Sequence, residues 1–268
     1  MKATIAGTPV SHDVRGDGPP VLFLHAFPLD LTMWDAQAKA LAATHRVVRF
    51  DARGFGGTPP GDGLLTMERI ADDAVALLDH LGLSKAVVCG LSMGGYAAFA
   101  LVRRHPDRLR GLVLADTRTA PDSPEARRAR SAQAETVRRE GPAGIAEGFL
   151  QKALGPTTLK ERPEVVARVR EMVLSAPARG VVDALAGLAS RGDSTPTLRE
   201  IRVPTLVVCG AEDGLTPPAD AEAIHRGVPG STLAIVPKAG HLSALEDPAA
   251  FDAALAGFLR TIPRQEAP

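Results

Sequence analysis

The stretch AVVCGLSMGGYAAFALV at residues 86–102 decides the fold of this chain. It carries no charge and approaches the length of a membrane span. Three glycines, Gly90, Gly94 and Gly95, interrupt it around Ser92, which argues against one continuous membrane helix. An apolar run, a glycine-rich turn and a second apolar run instead predict a strand, a sharp turn and a buried helix.

The same order of strand and helix repeats on both sides of this stretch. Apolar runs predict strands at 21–26, 45–50, 85–91, 109–116, 203–210 and 231–237, and helical patterns lie at about 32–43, 66–80, 93–105, 218–227 and 248–260. Several of these strands are apolar on both faces, which is typical of parallel strands covered by helices. With an antiparallel hairpin of residues 2–6 and 9–15 at one edge, the prediction is an α/β fold with a doubly wound, mostly parallel sheet.

The alternation stops after Asp116 and resumes at Val203. The intervening residues contain no convincing strand, but they carry helical patterns near 123–140, 142–154, 163–175 and 178–190. We therefore predict a core domain of residues 1–116 and 201–268. A helical cap subdomain of residues 117–200 is inserted after the strand that ends near residue 116. No low-complexity linker separates the two, so we expect the cap to pack on the core.

Composition limits the classes of protein that remain. Of the 268 residues, 31 are Lys or Arg and 31 are Asp or Glu, so the formal net charge is zero. Nucleic-acid-binding proteins usually carry an excess of basic charge, so we expect no nucleic-acid partner. The N-terminus lacks the apolar segment of a signal peptide, and two cysteines cannot form a disulfide framework. We expect a soluble, cytoplasmic protein that binds no membrane, whose oligomeric state stays open.

The sequence Gly90-Leu91-Ser92-Met93-Gly94 follows the predicted strand and precedes the predicted helix. That context is typical of a nucleophile elbow, in which a sharp turn exposes the serine at the strand end. The turn requires small residues two positions before and two positions after the serine, and Gly90 and Gly94 meet that need. We predict Ser92 as a catalytic nucleophile rather than a structural turn residue.

A serine nucleophile needs a base, and the base needs a carboxylate. His241 follows the last predicted strand and precedes the last helix, and Asp213 follows the penultimate strand. The order Ser92, Asp213, His241 is the chain order expected for a serine hydrolase of this build. Two other acids stay open as alternatives: Glu212 is adjacent but should point the other way, and Asp116 ends the strand after the nucleophile helix.

An acyl-transfer site also needs donors for the oxyanion of the tetrahedral intermediate. One predicted donor is the backbone N–H of Met93, directly after the nucleophile. The other is the backbone N–H of Phe27, in the loop that follows strand 21–26. We interpret His25 in the same loop as a residue that orders the loop, not as a second base.

The chain resembles the α/β-hydrolase superfamily over essentially its whole length. The resemblance rests on HAFP (25–28), DARGFG (51–56), GLSMGG (90–95), GAEDGLTPP (210–218) and AGHLSALEDP (239–248). Within the superfamily, LDLTMWDAQ (29–37) and DARGFGGTPP are similar to the 3-oxoadipate enol-lactonases and small carboxylesterases. The resemblance implies a helical cap over about 117–200, a Ser92, Asp213 and His241 triad, and no metal or organic cofactor. One departure is Ala26, where many members have glycine.

These observations predict an enzyme that cleaves carboxylic esters of small acyl groups through an acyl-enzyme intermediate, with a small-molecule ester or lactone as its partner. One alternative is an enol-lactone hydrolase of the 3-oxoadipate enol-lactonase type, and another is a non-enzymatic ligand-binding receptor on this fold. Carbon–carbon bond hydrolysis is a further, weaker alternative. We interpret the cap arginines as mainly a solvated helix face, which ranks esterase above lactonase; they are Arg118, Arg127, Arg128, Arg130, Arg138 and Arg139.

Overall fold

The computed structural model describes residues 1–263, and one mixed sheet organises them. Its strands within these residues are β1 (Lys2–Ile5), β2 (Thr8–Arg15), β3 (Pro20–Leu24), β4 (Arg46–Phe50), β5 (Ala86–Leu91), β6 (Leu109–Ala115), β7 (Thr205–Gly210) and β8 (Thr232–Val236). Their spatial order is β1-β2-β4-β3-β5-β6-β7-β8. The β1–β2 and β2–β4 pairs are antiparallel and all others are parallel, so the predicted hairpin lies at one edge.

Helices follow most strands. They are α1 (Asp35–Leu41), α2 (Met67–His80), α3 (Met93–Arg104), α4 (Pro124–Glu140), α5 (Ala143–Ala153), α6 (Pro156–Glu161), α7 (Pro163–Ser175), α8 (Ala178–Ser190), α9 (Pro218–Gly227), α10 (Ser243–Glu246) and α11 (Pro248–Leu259). Two of them, α6 and α10, were not predicted, because helices of six and four residues are too short to show a periodic pattern.

Alternate strand residues face two separate layers of core. On β5, Val88 packs in one cluster with Phe99 of α3, whereas Cys89 packs in the other with Trp34 and Phe251 of α11. Because both faces of the sheet are covered by helices, central strands are apolar throughout. This arrangement confirms the predicted α/β fold with a doubly wound, mostly parallel sheet.

The helices α4 to α8 lie between β6 and β7, and no strand interrupts them in that part of the described chain. They pack on both core clusters: Val137 and Leu185 contribute to one, and Leu150 and Val173 to the other. The last five positions of the predicted core domain, 264–268, lie outside the described residues.

No single helix within residues 1–263 is long and apolar enough to cross a membrane. The pair α7 and α8 reaches that length and composition only when taken together, and the two helices are bent by 97° relative to each other.

Candidate active site

The predicted elbow lies at the junction of β5 and α3. Ser92 has φ of 54° and ψ of −110°, a conformation that L-residues rarely adopt. A Cβ at Gly90 would lie 2.2 Å from the Gly94 carbonyl oxygen, and a Cβ at Gly94 would lie 2.2 Å from the Leu24 carbonyl oxygen. Both positions therefore need glycine, and the backbone can turn sharply enough to present the Ser92 side chain at the strand end.

His241 connects Ser92 with Asp213. Its Nε2 lies 2.7 Å from the Ser92 Oγ, and its Nδ1 lies 2.8 Å from the Asp213 Oδ2. The side chains of His241 and Asp213 are buried. With the Nδ1–H donated to Asp213, the Nε2 lone pair can accept the Ser92 hydroxyl proton, which is the arrangement required of a general base.

Asp213 is held by several donors besides His241. Its Oδ1 accepts from the backbone N–H groups of Leu215 (2.8 Å) and Thr216 (2.9 Å), and its Oδ2 accepts from the Thr216 hydroxyl (2.7 Å). Burial acts to raise the pKa of Asp213, but the charge and hydrogen bond of His241 and the Thr216 donors outweigh it and lower the pKa. Asp213 therefore stays ionised and can stabilise an imidazolium. Sequence reasoning missed Thr216, although its place three residues after the acid is typical of an Asx-type turn.

The alternative acid, Asp116, has other partners. Its Oδ1 accepts from the Gly210 N–H, and its Oδ2 accepts from both the N–H and the hydroxyl of Ser243. Burial raises the pKa of Asp116 well above its usual value, and the negative charge of Asp213 raises it further. The other alternative, Glu212, bonds Thr157. Of the three acids, Asp213 is the one hydrogen-bonded to His241 among the described residues.

Two N–H groups are available for an oxyanion. Met93 is the first residue of α3, so its N–H has no carbonyl partner one turn earlier in the helix. The Phe27 N–H has no acceptor among residues 1–263, and Phe27 lines the same cavity as Ser92. His25 orders this loop, since its Nε2 accepts from the Ala52 N–H (3.0 Å) and its Nδ1 donates to the Ala26 carbonyl (3.0 Å).

The cavity beside Ser92 has a volume of about 140 Å³. Its wall combines apolar or aromatic side chains with cationic ones. The first group is Phe27, Tyr96, Phe149, Leu188 and Leu215, and the second is Arg118, Arg130 and Lys152. A larger groove of about 390 Å³ around Arg53 and Asp62 shares no lining residue with it.

The cap arginines were predicted to be mainly solvated, and Arg118 and Arg130 depart from that prediction because they line this cavity. The prediction is right for the exposed set Arg127, Arg128, Arg138 and Arg139. Sequence reasoning could not separate the two groups, because it does not show which helix face meets the core.

Asp122 explains why these arginines turn inward. Its fully buried carboxylate accepts from Arg118 (3.1 Å), from Arg130 and from Arg191 (2.7 Å). Burial acts to raise the pKa of Asp122, but the hydrogen bonds and charges of Arg130 and Arg191 outweigh it and lower the pKa. Three guanidinium groups share one carboxylate, so the cluster keeps excess positive charge. The Arg191 guanidinium also lies 4.1 Å from the centre of the Tyr96 ring.

Among residues 1–263, one group of side chains approaches metal-ligand spacing, namely Asp116, Cys209 and Asp213. Each of the carboxylate oxygens already accepts a hydrogen bond, and the Cys209 thiol donates towards the Gly210 and Thr216 carbonyls. Burial raises the pKa of this thiol, and the charge of Asp116 raises it further, which disfavours the thiolate that binds metals. These residues therefore fit a hydrogen-bonded cluster better than a metal site.

Comparison with known proteins agrees with this geometry. The family model for the alpha/beta hydrolase fold matches residues 19–248. A 3-oxoadipate enol-lactonase of Acinetobacter baylyi is 30% identical over 246 residues, covering 92% of this chain and 90% of its own length.

Two solved structures are similar throughout. A thermophilic esterase from Thermogutta terrifontis, with malate bound, is 44% identical with a TM-score of 0.94, and the match covers 98% of each chain. An enol-lactonase from Burkholderia xenovorans LB400 is 29% identical with a TM-score of 0.90, and the match covers 97% of this chain and 100% of that one. With the family model spanning most of the sequence, this chain belongs to the α/β-hydrolase family and is a hydrolase.

Proposed function

We propose that this hydrolase cleaves carboxylic esters of small acyl groups through an acyl-enzyme intermediate. The observation that carries the proposal is the continuous hydrogen-bonded series from Ser92 Oγ through His241 to Asp213. The cavity of about 140 Å³ favours a small acyl group. We further propose that residues 117–200 form a cap over a core of residues 1–116 and 201–268, because α5 and α8 contribute side chains to the cavity.

In acylation, His241 Nε2 takes the proton as the Ser92 Oγ attacks the ester carbonyl. The carbonyl oxygen becomes an oxyanion, which the N–H groups of Phe27 and Met93 stabilise. Asp213 stabilises the imidazolium and keeps the ring in the tautomer that leaves Nε2 free. His241 then gives its proton to the leaving alkoxide as the carbon–oxygen bond breaks.

Deacylation repeats the same steps with water as the nucleophile. His241 removes a proton from water, the hydroxide attacks the acyl carbon, and the same two N–H groups bind the oxyanion. The intermediate collapses by expelling Ser92 Oγ, which recovers its proton from His241. The acid product is released and the enzyme returns to its starting state.

The test is turnover of a chromogenic short-chain ester by the wild type and by Ser92→Ala. We expect turnover by the wild type and a loss on the order of 10⁶ in kcat in the variant, as for other triad nucleophiles. A pure, folded variant that retains more than about a tenth of the activity would contradict the assignment. A wild type that binds esters without turnover would instead favour the receptor alternative.

A lactone hydrolase acting on a carboxylated substrate is the second candidate. The cationic side chains of Arg118, Arg130 and Lys152 in the cavity wall favour it. The similarity to two enol-lactonases, and to an esterase whose structure contains malate, supports it as well. The triad cannot rank the two candidates, because ester and lactone hydrolysis pass through the same type of oxyanion.

The esterase and lactonase candidates can be ranked by measuring kcat/KM for three substrates. These are p-nitrophenyl butyrate, a carboxylated aryl ester and a carboxylated enol-lactone. We keep the simple ester first because the cavity of about 140 Å³ favours a small acyl group. A preference of about 100-fold for the lactone, equivalent to about 2.7 kcal/mol of transition-state binding, would reverse the order. A preference for both carboxylated substrates over the neutral ester would assign selectivity to the carboxylate rather than to the lactone ring.

A further inference from the structure

The turn between α5 and α6, residues 153–157, lies against both loops that carry the proposed acid and base. The Gly155 N–H donates to the Glu246 carboxylate (2.8 Å), and the Thr157 N–H donates to the Glu212 carboxylate (2.9 Å). Glu212 precedes Asp213 directly, and Glu246 lies on α10, five residues after His241. One turn of the helical insertion is therefore held by two core carboxylates.

Glu246 uses both of its oxygens in this contact. The Oε2 accepts from Gly155, and the Oε1 accepts from the N–H of Leu242 (3.0 Å), the residue that follows His241. The side chain is buried, with 2% of the residue exposed. A carboxylate can accept through both oxygens, whereas a glutamine amide offers one acceptor and one donor group. Glutamine in this place would therefore leave one buried backbone N–H without a partner.

The turn also bonds the backbone of the base itself. The His241 N–H donates to the Ala153 carbonyl (2.8 Å). The two backbones approach closely here, because a Cβ at Gly240 would lie 2.2 Å from the Gly155 nitrogen. A shift of the turn would thus move the peptide of His241 directly, with no side chain between them to absorb the movement.

Glu212, in the loop that carries Asp213, contacts the same 153–157 turn. Its Oε1 accepts from the Thr157 hydroxyl (2.5 Å) in addition to the N–H contact at Oε2. The loops of Asp213 and His241 are therefore tied to the same few residues.

We propose that Glu246 is a positioning residue for His241, acting by holding the 153–157 turn against the base loop. This inference rests on the proposed function, since it takes His241 as the general base. The carboxylate touches neither Ser92 nor the cavity, so its effect on the reaction passes through the placement of the imidazole.

The experiment compares Glu246→Gln with Asp73→Asn. Asp73 is a buried carboxylate of α2 paired with Arg53 at 2.6 Å, so its loss destabilises the fold without reaching the site. Acylation is followed as kcat/KM for ethyl butyrate and for p-nitrophenyl butyrate. The first needs proton transfer from His241 to a poor leaving group, whereas p-nitrophenolate leaves with little help.

We expect Glu246→Gln to lower kcat/KM about 30-fold for the ethyl ester and about threefold for the nitrophenyl ester, since small misplacements of a reacting group carry large costs. We expect Asp73→Asn to leave the ratio of the two substrates unchanged. If Glu246→Gln does not fold, Thr157→Val, which removes the hydroxyl contact with Glu212, should change the ratio in the same direction by a smaller factor.

A second readout does not depend on turnover. The downfield proton resonance of the His241 Nδ1–H, bonded to Asp213, should shift or broaden in Glu246→Gln and stay in place in Asp73→Asn. An unchanged resonance and an unchanged substrate ratio in folded Glu246→Gln overturn the proposal. A wild type that hydrolyses neither ester contradicts the proposed function instead, and the resonance then still decides the positioning role.

Discussion

The core sheet and the helices α4 to α8 supply the same cavity in different ways. The core contributes Ser92 and His241 to the cavity wall and Asp213 behind His241, each at a loop that follows a parallel strand. The helices contribute Phe149 and Lys152 from α5, where placement depends on how each helix packs. Strand ends are fixed by topology, whereas a helix face is fixed by its neighbours.

This difference separates chemistry from selectivity. Changes at the strand ends should lower the rate for every substrate, because the reaction of every substrate uses the same triad and the same oxyanion donors. Changes on the helices should alter the ranking among substrates.

The largest contrast lies between the two buried acids of the core. Asp213→Asn should lower kcat by about 10⁴, as in the triad template, because asparagine holds the base in the wrong tautomer. Asp116→Asn should cost about tenfold or less. Asp116 bonds Gly210 and Ser243 and not His241, so asparagine at this position leaves the tautomer of the base unchanged and acts only through the placement of the two loops.

Steady-state kinetics on one short-chain ester, with both variants shown to be folded, checks this contrast. A larger loss in Asp116→Asn than in Asp213→Asn would transfer the role of the acid to the end of β6. Equal losses would show that the two carboxylates act as one unit.

The strands of the core and the loops that carry Ser92, Asp213 and His241 were largely predictable from the sequence, for physical reasons. Gly90 and Gly94 mark the elbow because no side chain fits there, and the apolar run before them marks a strand covered on both faces. Chain order then placed Asp213 and His241 after the correct strands, and the observed distances bring them to Ser92. Their catalytic roles remain predictions.

For the segment between β6 and β7, the sequence predicted only that it forms a set of helices. The pattern predicted α4, α5, α7 and α8, but it did not show which arginines face inward. Burial of Asp122 decides that, and nothing in the sequence distinguishes this acid from the exposed Glu125, Glu135 and Glu140 nearby. The short helices α6 and α10 were not predicted, because they are too short to show a helical repeat of apolar residues. The 153–157 turn before α6 and its contact with Glu246 were therefore not predicted either.

In the helices α4 to α8, we expect Arg130 to affect substrate selectivity. Arg130→Met keeps an unbranched apolar stem and removes the guanidinium group with its charge. We expect kcat/KM for a carboxylated ester to fall about 100-fold and that for a neutral ester to change less than threefold, because a charge-assisted contact with the substrate is lost. The matched control is Arg128→Met on the same helix, whose side chain is 70% exposed and paired with Glu125.

Parallel measurement of both substrates for the two variants decides the outcome. Equal losses on the carboxylated and the neutral ester would mean that Arg130 supports the fold of the cavity and does not select the substrate. That result would also weaken the lactonase candidate.

A separate effect is expected on stability and not on the rate. The pKa of Asp122 lies below its usual value because hydrogen bonds and charges of Arg130 and Arg191 outweigh the effect of burial. A depressed folded-state pKa contributes stability above the unfolded-state value, and this contribution is lost as the pH falls through the folded-state value. Asp122→Asn should therefore cost about 3–5 kcal/mol at pH 7, since it removes one partner of a buried ion cluster. The gap to the wild type should narrow below the ordinary aspartate pKa of 3.8. Denaturant unfolding at neutral pH and at the lowest pH at which the wild type stays folded, well below 3.8, measures both values. Glu135→Gln, which removes an exposed pair with Arg138 on α4, should show no measurable change at either pH. A gap for Asp122→Asn that is the same at both pH values would mean that the carboxylate stabilises the helical segment through packing and hydrogen-bond geometry, not through its charge.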